Sequence, residues 1–69
     1  MIKNRIREYR AKYGMSQKEL ADKVGVRRET IGNLENGRYN PSLLLAWNIS
    51  KFFNVSIEDI FDIVDDEWT

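Results

Sequence analysis

The sequence contains neither cysteine nor histidine. Without cysteine there is no disulfide staple and no thiolate metal site, and without histidine the common imidazole ligand and the usual general base are missing too. No Gly-rich phosphate loop is present, and no paired acids stand in an apolar setting. No enzyme, metal site or cofactor is therefore expected. Long apolar runs are also lacking. The longest is "LLLAW", residues 43–47, far below the roughly 20 residues a membrane span needs. Nothing at the N-terminus resembles a signal peptide. The expectation is a cytoplasmic, soluble chain with no membrane partner and no evident small-molecule ligand. At 69 residues it should form one small domain over residues 1–69, marginally stable, for which dimerisation is a remaining source of stability.

A formal net charge of zero argues at first sight against a nucleic-acid partner, because phosphate contacts draw largely on Lys and Arg. The average conceals a split. Residues 1–39 hold ten basic and five acidic groups, whereas residues 40–69 hold one basic and six acidic groups. Such asymmetry marks either two ordinary solvated clusters or a polyanion-binding face with the opposite charge kept away from it.

Ile2, Ile6, Tyr9 and Tyr13 recur at four- and three-residue steps, the stripe of a first helix ending near Gly14. Ser16 followed by Glu19 forms a capping box that opens a second helix from Gln17 to about Val24. Gly25 stops it. A third helix is expected from about Arg28 to Asn36, with Ile31 and Leu34 inward and Gly37 after it. Beyond the loop "RYNPS", Ser42 caps a fourth helix from Leu43 to about Phe53, closed by Asn54. Ser56 opens a short fifth helix over Ile57 to Phe61. The tail, residues 62–69, has no helical stripe; Ile63 and Val64 are expected either to pair as a short strand with the first residues or to dock in a dimer interface.

From Gln17 to Asn36, each position has a mechanical use. Leu20, Val24, Val26, Ile31 and Leu34 fasten two short helices to one core. Ala21 lets their axes approach, and Gly25 supplies a turn residue tolerant of positive φ. Arg28, Glu29, Gly32, Asn33 and Asn36 are left on the outward face. This is a helix-turn-helix arrangement.

Residues 15–61, with "SQ.ELA", "GV", "TI...E.G", "NPS" and "VS.EDIF" in order, resemble the helix-turn-helix domains of phage repressors and Cro proteins, the XRE family. Arg10 fits the same pattern. The resemblance implies an all-α, five-helix DNA-binding domain, here with a short terminal strand pair as one fate for the tail. Its third helix would lie in the major groove of double-stranded DNA, bound as a homodimer to a palindromic operator, as a transcriptional repressor. The base-reading positions become Arg28, Glu29 and Asn33, and the chemistry suits them: Arg can pair with guanine, Asn with adenine, and a carboxylate can accept from cytosine. Glu29 has the alternative role of holding Arg28 in place. Backbone contacts are implied for Gln17 and Lys18, and then for Asn36, Arg38, Tyr39 and Asn40. A structural ion pair is implied between Arg10 and Glu35. One departure is Arg27, where the family often caps the helix with Ser or Thr; a contact from Arg27 to DNA would offset the lost cap.

Tyr9, Tyr13, Leu43, Ile49, Phe52 and Phe53 read as core from their helical spacing. Trp47 and Trp68, with Ile57, Ile63 and Val64, read as candidates for a dimer interface. The acids Asp62, Asp65, Asp66 and Glu67 lack a metal-ligand spacing and read as a solvated tail. The competing functional class is an antitoxin or co-regulator whose main partner is another protein, with the apolar tail as its docking feature.

Overall fold

Among the described residues, five helices lie between two short strands that pair with each other. The computed structural model describes residues 2–63. In order, β1 is Ile2–Asn4, α1 Ile6–Lys12, α2 Gln17–Val24, α3 Arg28–Glu35, α4 Leu43–Phe53, α5 Ile57–Ile60 and β2 Phe61–Ile63. The strands pair antiparallel, Ile2 opposite Ile63 and Asn4 opposite Phe61. The Arg5 N–H extends the junction by donating to Ile60 O at 2.8 Å. Residues 64–69, and with them Val64, Trp68 and the acids of the distal tail, lie outside the described residues.

Serine chemistry sets three helix starts. Ser16 Oγ accepts the Glu19 N–H while Glu19 Oε1 accepts the Ser16 N–H; Ser56 and Asp59 repeat the exchange. Ser42 Oγ takes the Leu45 N–H at 3.0 Å. Each contact satisfies a donor that the helix itself leaves unpaired. Asn54 ends α4 in the left-handed region at φ +58°.

Ile2 does not belong to the first helix, contrary to its spacing. Ile2 and Asn4 are half-buried around an exposed Lys3, a strand alternation, and α1 begins only at Ile6. Asn4 makes the break. Its Oδ1 accepts the Ile6 N–H at 3.1 Å, opening α1, while its Nδ2 donates to Leu34 O at 2.9 Å, near the end of α3. Likewise α5 ends at Ile60, because Phe61 adopts extended backbone and starts β2.

Ile6, Leu20, Ile31, Leu34, Ile49 and Ile60 are fully buried, with Ala21 and Ala46 as the small residues among them. Phe53 is buried, with the Tyr9 and Tyr13 rings 5.4 and 5.6 Å away and Phe52 edge-on at 5.1 Å. Three residues expected in the core lie outside it: Tyr13, Phe52 and above all Leu43, which is 78% exposed. Tyr13 follows the last turn of α1 and lays one ring face on Phe53. Leu43 starts α4 on the side away from the core, beside Leu44 and Trp47. No helix among the described residues is long and apolar enough to cross a membrane.

Asn4→Ala removes both ties of this side chain, each worth about 1 kcal/mol. The urea midpoint should fall by the equivalent of about 2 kcal/mol. Asn4→Asp keeps the acceptor for the Ile6 N–H but sets a carboxylate oxygen against Leu34 O, so it should not recover the lost stability.

Candidate nucleic-acid interface

Helices α2 and α3 pack against one another through Leu20, Ala21, Ile31 and Leu34, all buried. Ala21 is the small residue buried among them. The turn is closed by Gly25 at φ +77° and by the Val26 N–H donating to Ala21 O at 3.0 Å. With the apolar side of α3 committed inward, Arg28, Glu29, Asn33 and Asn36 are exposed. The helix therefore presents a polar face one to two turns long.

A buried carboxylate organises the base of that face. The Glu35 side chain is 1% exposed and takes both arms of Arg10, at 2.6 and 3.1 Å. Arg10 also donates to Met15 O at 2.9 Å, fixing the turn between α1 and α2. Arg7 stands 3.6 Å from the same carboxylate, and Gln17 Nε2 donates to it at 3.0 Å. Burial alone would push the Glu35 carboxyl up. Hydrogen bonds from Arg10 and Gln17, together with the charges of Arg10 and Arg7, outweigh burial and hold it below the usual carboxylate value. The same hydrogen bond to Glu35 raises the Arg10 guanidinium despite its burial.

Gln17 carries this network to the far end of α3. Its Oε1 accepts from Arg28 Nη1 at 3.2 Å. Arg28 is thus held by Gln17, and no hydrogen bond or ion pair among the described residues joins it to Glu29. The Gln17 amide lies over Gly32, where an added Cβ would meet Gln17 Oε1 at 3.6 Å. That is ordinary contact, so the free domain does not require glycine at this position.

The remaining candidates flank the helix. Lys18, on the first turn of α2, pairs with Asp22 at 3.0 Å on the surface. Arg27 occupies the start of α3 with extended backbone and no side-chain cap, leaving the first N–H groups of α3 without a local side-chain acceptor. Arg38, Tyr39 and Asn40 are exposed in the loop after α3. Tyr39 Oη donates to Thr30 O at 3.4 Å, folding the loop back on the helix, and Asn40 Oδ1 accepts the Ile2 N–H at 3.2 Å. Trp47 and Ile63 are exposed, and Ile57 is half-buried against the core. Sequence reasoning passed over Asn4, Arg5 and Arg7. Asn4 left a signal, an amide two residues before a helix; Arg5, which meets Asp62 at 2.6 Å and donates to Asp59 O, left none.

Two short helices crossing over a glycine turn, with the second turned polar side outward, define a helix-turn-helix domain. Residues 6–60 match the helix-turn-helix family, and the chain belongs to it, as one of its XRE-type transcriptional regulators. It is 67% identical over 66 residues to an uncharacterized HTH-type transcriptional regulator of Archaeoglobus fulgidus, covering 96% of this chain and 93% of that one. Among solved structures it is similar to SinR, the master regulator for biofilm formation, in complex with DNA: TM-score 0.71, 33% identity, 77% of this chain and 86% of that one. It is also similar to the restriction-modification controller protein C.AhdI from Aeromonas hydrophila, with TM-score 0.73, 30% identity and coverage of 78% and 82%. These relatives are regulators, not enzymes.

The depressed Glu35 value sets a pH dependence. A carboxyl whose folded-state value lies below its unfolded one contributes fully above the ordinary value of 4.5 and loses that contribution as the pH falls through the lower folded-state value. Glu35→Gln should cost about 3 kcal/mol at pH 7, since it leaves the shielded Arg10 unpaired. The gap between wild type and variant, read by urea denaturation, should close as the pH is lowered below 4 to 5.

Proposed function

We propose that the chain is a sequence-specific DNA-binding repressor that occupies a palindromic operator as a homodimer, with residues 17–36 as its reading unit. The observation that carries this reading is the polar face of α3, on which Arg28, tethered through Gln17 to a buried carboxylate, stands exposed beside Glu29 and Asn33. A tethered guanidinium loses less freedom on meeting a guanine edge than a free one. The positive charge of the N-terminal half supports the same assignment: residues 1–39 carry ten of the eleven cations. Phosphates are taken by Lys18, Arg27, Asn36, Arg38, Tyr39 and Asn40 and by the open N–H groups at the start of α2. Gln17 contributes its backbone there, since its side chain is occupied by Glu35 and Arg28. Two such domains whose α3 helices lie about 34 to 36 Å apart read half-sites one helical turn apart. Repression follows from occupancy of the operator in the cytoplasm, where it excludes the transcription machinery.

Binding sites selected from random DNA at a stated salt concentration should form a palindrome. Arg28→Ala should cost about 1 to 3 kcal/mol on the selected site and relax choice at one base pair per half-site. Arg38→Ala should instead weaken binding to all sequences alike and reduce the salt slope by about one. An unchanged preferred sequence in Arg28→Ala would remove Arg28 from the reading face.

A further inference from the structure

Helix α4 is apolar on both sides. Leu45, Ala46, Ile49 and Phe53 face the core, whereas Leu43, Leu44 and Trp47 face outward, Trp47 being 51% exposed. A contiguous exposed apolar patch of this kind on a small domain marks an interaction surface. The patch continues into an open cleft of about 600 Å³ walled by Leu43, Ile57, Phe61 and Ile63.

Charge around the patch indicates what covers it. At the Leu43 end, Glu58 and Asp62 stand on the cleft wall. Asp62 is taken by Arg5, while Glu58 has no ion-pair partner among the described residues. At the opposite end Lys51 lies over the Trp47 ring, 5.1 Å from its centre, and meets no carboxylate among the described residues. Trp47 is four residues from Leu43 and four from Lys51. A second α4 laid antiparallel therefore sets Leu43 of each helix opposite Lys51 of the other, with the two tryptophans at the middle. The surface is self-complementary, as a two-fold interface must be.

We propose that two copies of the chain dock antiparallel along the outward face of α4, Trp47 against Trp47 at the two-fold axis and Lys51 of each copy beside Glu58 of the other. This rests on the homodimer reading above and names its interface. It uses a helix distinct from the DNA-reading one.

Sedimentation equilibrium of the full chain without DNA tests it, with far-UV circular dichroism as the check on folding. Wild type should dimerise, and Trp47→Arg, which sets like charges against each other at an exposed position, should raise the dimer dissociation constant at least tenfold with an unchanged spectrum. Lys51→Glu and Glu58→Lys should each weaken the dimer several-fold, and the double variant should regain most of the loss. A dimer unaffected by Trp47→Arg would overturn the choice of face while leaving the homodimer reading intact. Weakening by both charge variants without recovery in the double would overturn the antiparallel arrangement. A wild-type chain that stays monomeric alone and binds DNA as a monomer would overturn the homodimer reading, and the interface with it.

Discussion

The structure depends on one buried carboxylate at the wrong end of a helix. Glu35 closes α3, where the helix already carries partial negative charge, and it does so with its side chain almost wholly shielded from solvent. Such a group is stable only if its charge is met locally. Arg10 from α1 meets it twice, Gln17 from α2 donates to it, and Arg7 adds charge from nearby. The need to satisfy one side chain thus fixes three helices relative to one another. As a net source of stability such a pair is modest. Its use is geometric, because few arrangements of α1, α2 and α3 can satisfy all those bonds at once.

Both ends of α3 are held in consequence. Asn4 and Arg10 secure the C-terminal end, through Leu34 O and Glu35, and Gln17 reaches the N-terminal end through Arg28. The start of α3 breaks the rule that governs three of its neighbours: Ser16, Ser42 and Ser56 cap α2, α4 and α5, but Arg27 offers α3 no side-chain acceptor. A missing cap costs on the order of 1 kcal/mol, and cations at a helix start add a smaller penalty. Local rules are broken most often where a site has another use. On the proposed reading, DNA phosphates and a guanine edge replace the absent cap.

The starts of α2, α4 and α5 were legible because serine caps and a left-handed Gly25 or Asn54 bracket them, and these are strictly local signals. The terminal strand was harder. Ile2 precedes Ile6 by four residues, so it fits a helical stripe as well as the two-residue alternation it follows, and three residues are too few to separate the periods. The core was legible where one face of a helix is polar, as for Ile31 and Leu34. It failed for Leu43, since periodicity in a helix apolar on both sides cannot say which side turns inward. Tyr13 and Phe52 fit the core spacing because an aromatic can meet Phe53 with one face, as Tyr13 does, or edge-on, as Phe52 does, and leave the rest of its ring in water. For the candidate site, the outward residues of α3 followed from the helix-turn-helix spacing, but the hold of Gln17 on Arg28 did not. That contact depends on where two side chains point across a turn, which only the packed structure fixes.

On the proposed reading, the Glu35 network, acting through Gln17, sets the position from which Arg28 reads DNA. The most direct measurement is a double-mutant cycle combining Gln17→Ala with Arg28→Ala, scored as binding free energy on the selected site at fixed salt. The expected result is a coupling energy of at least about 0.5 kcal/mol between the two positions. Additive losses, within about 0.3 kcal/mol, would contradict it and leave Gln17 and Arg28 as independent neighbours.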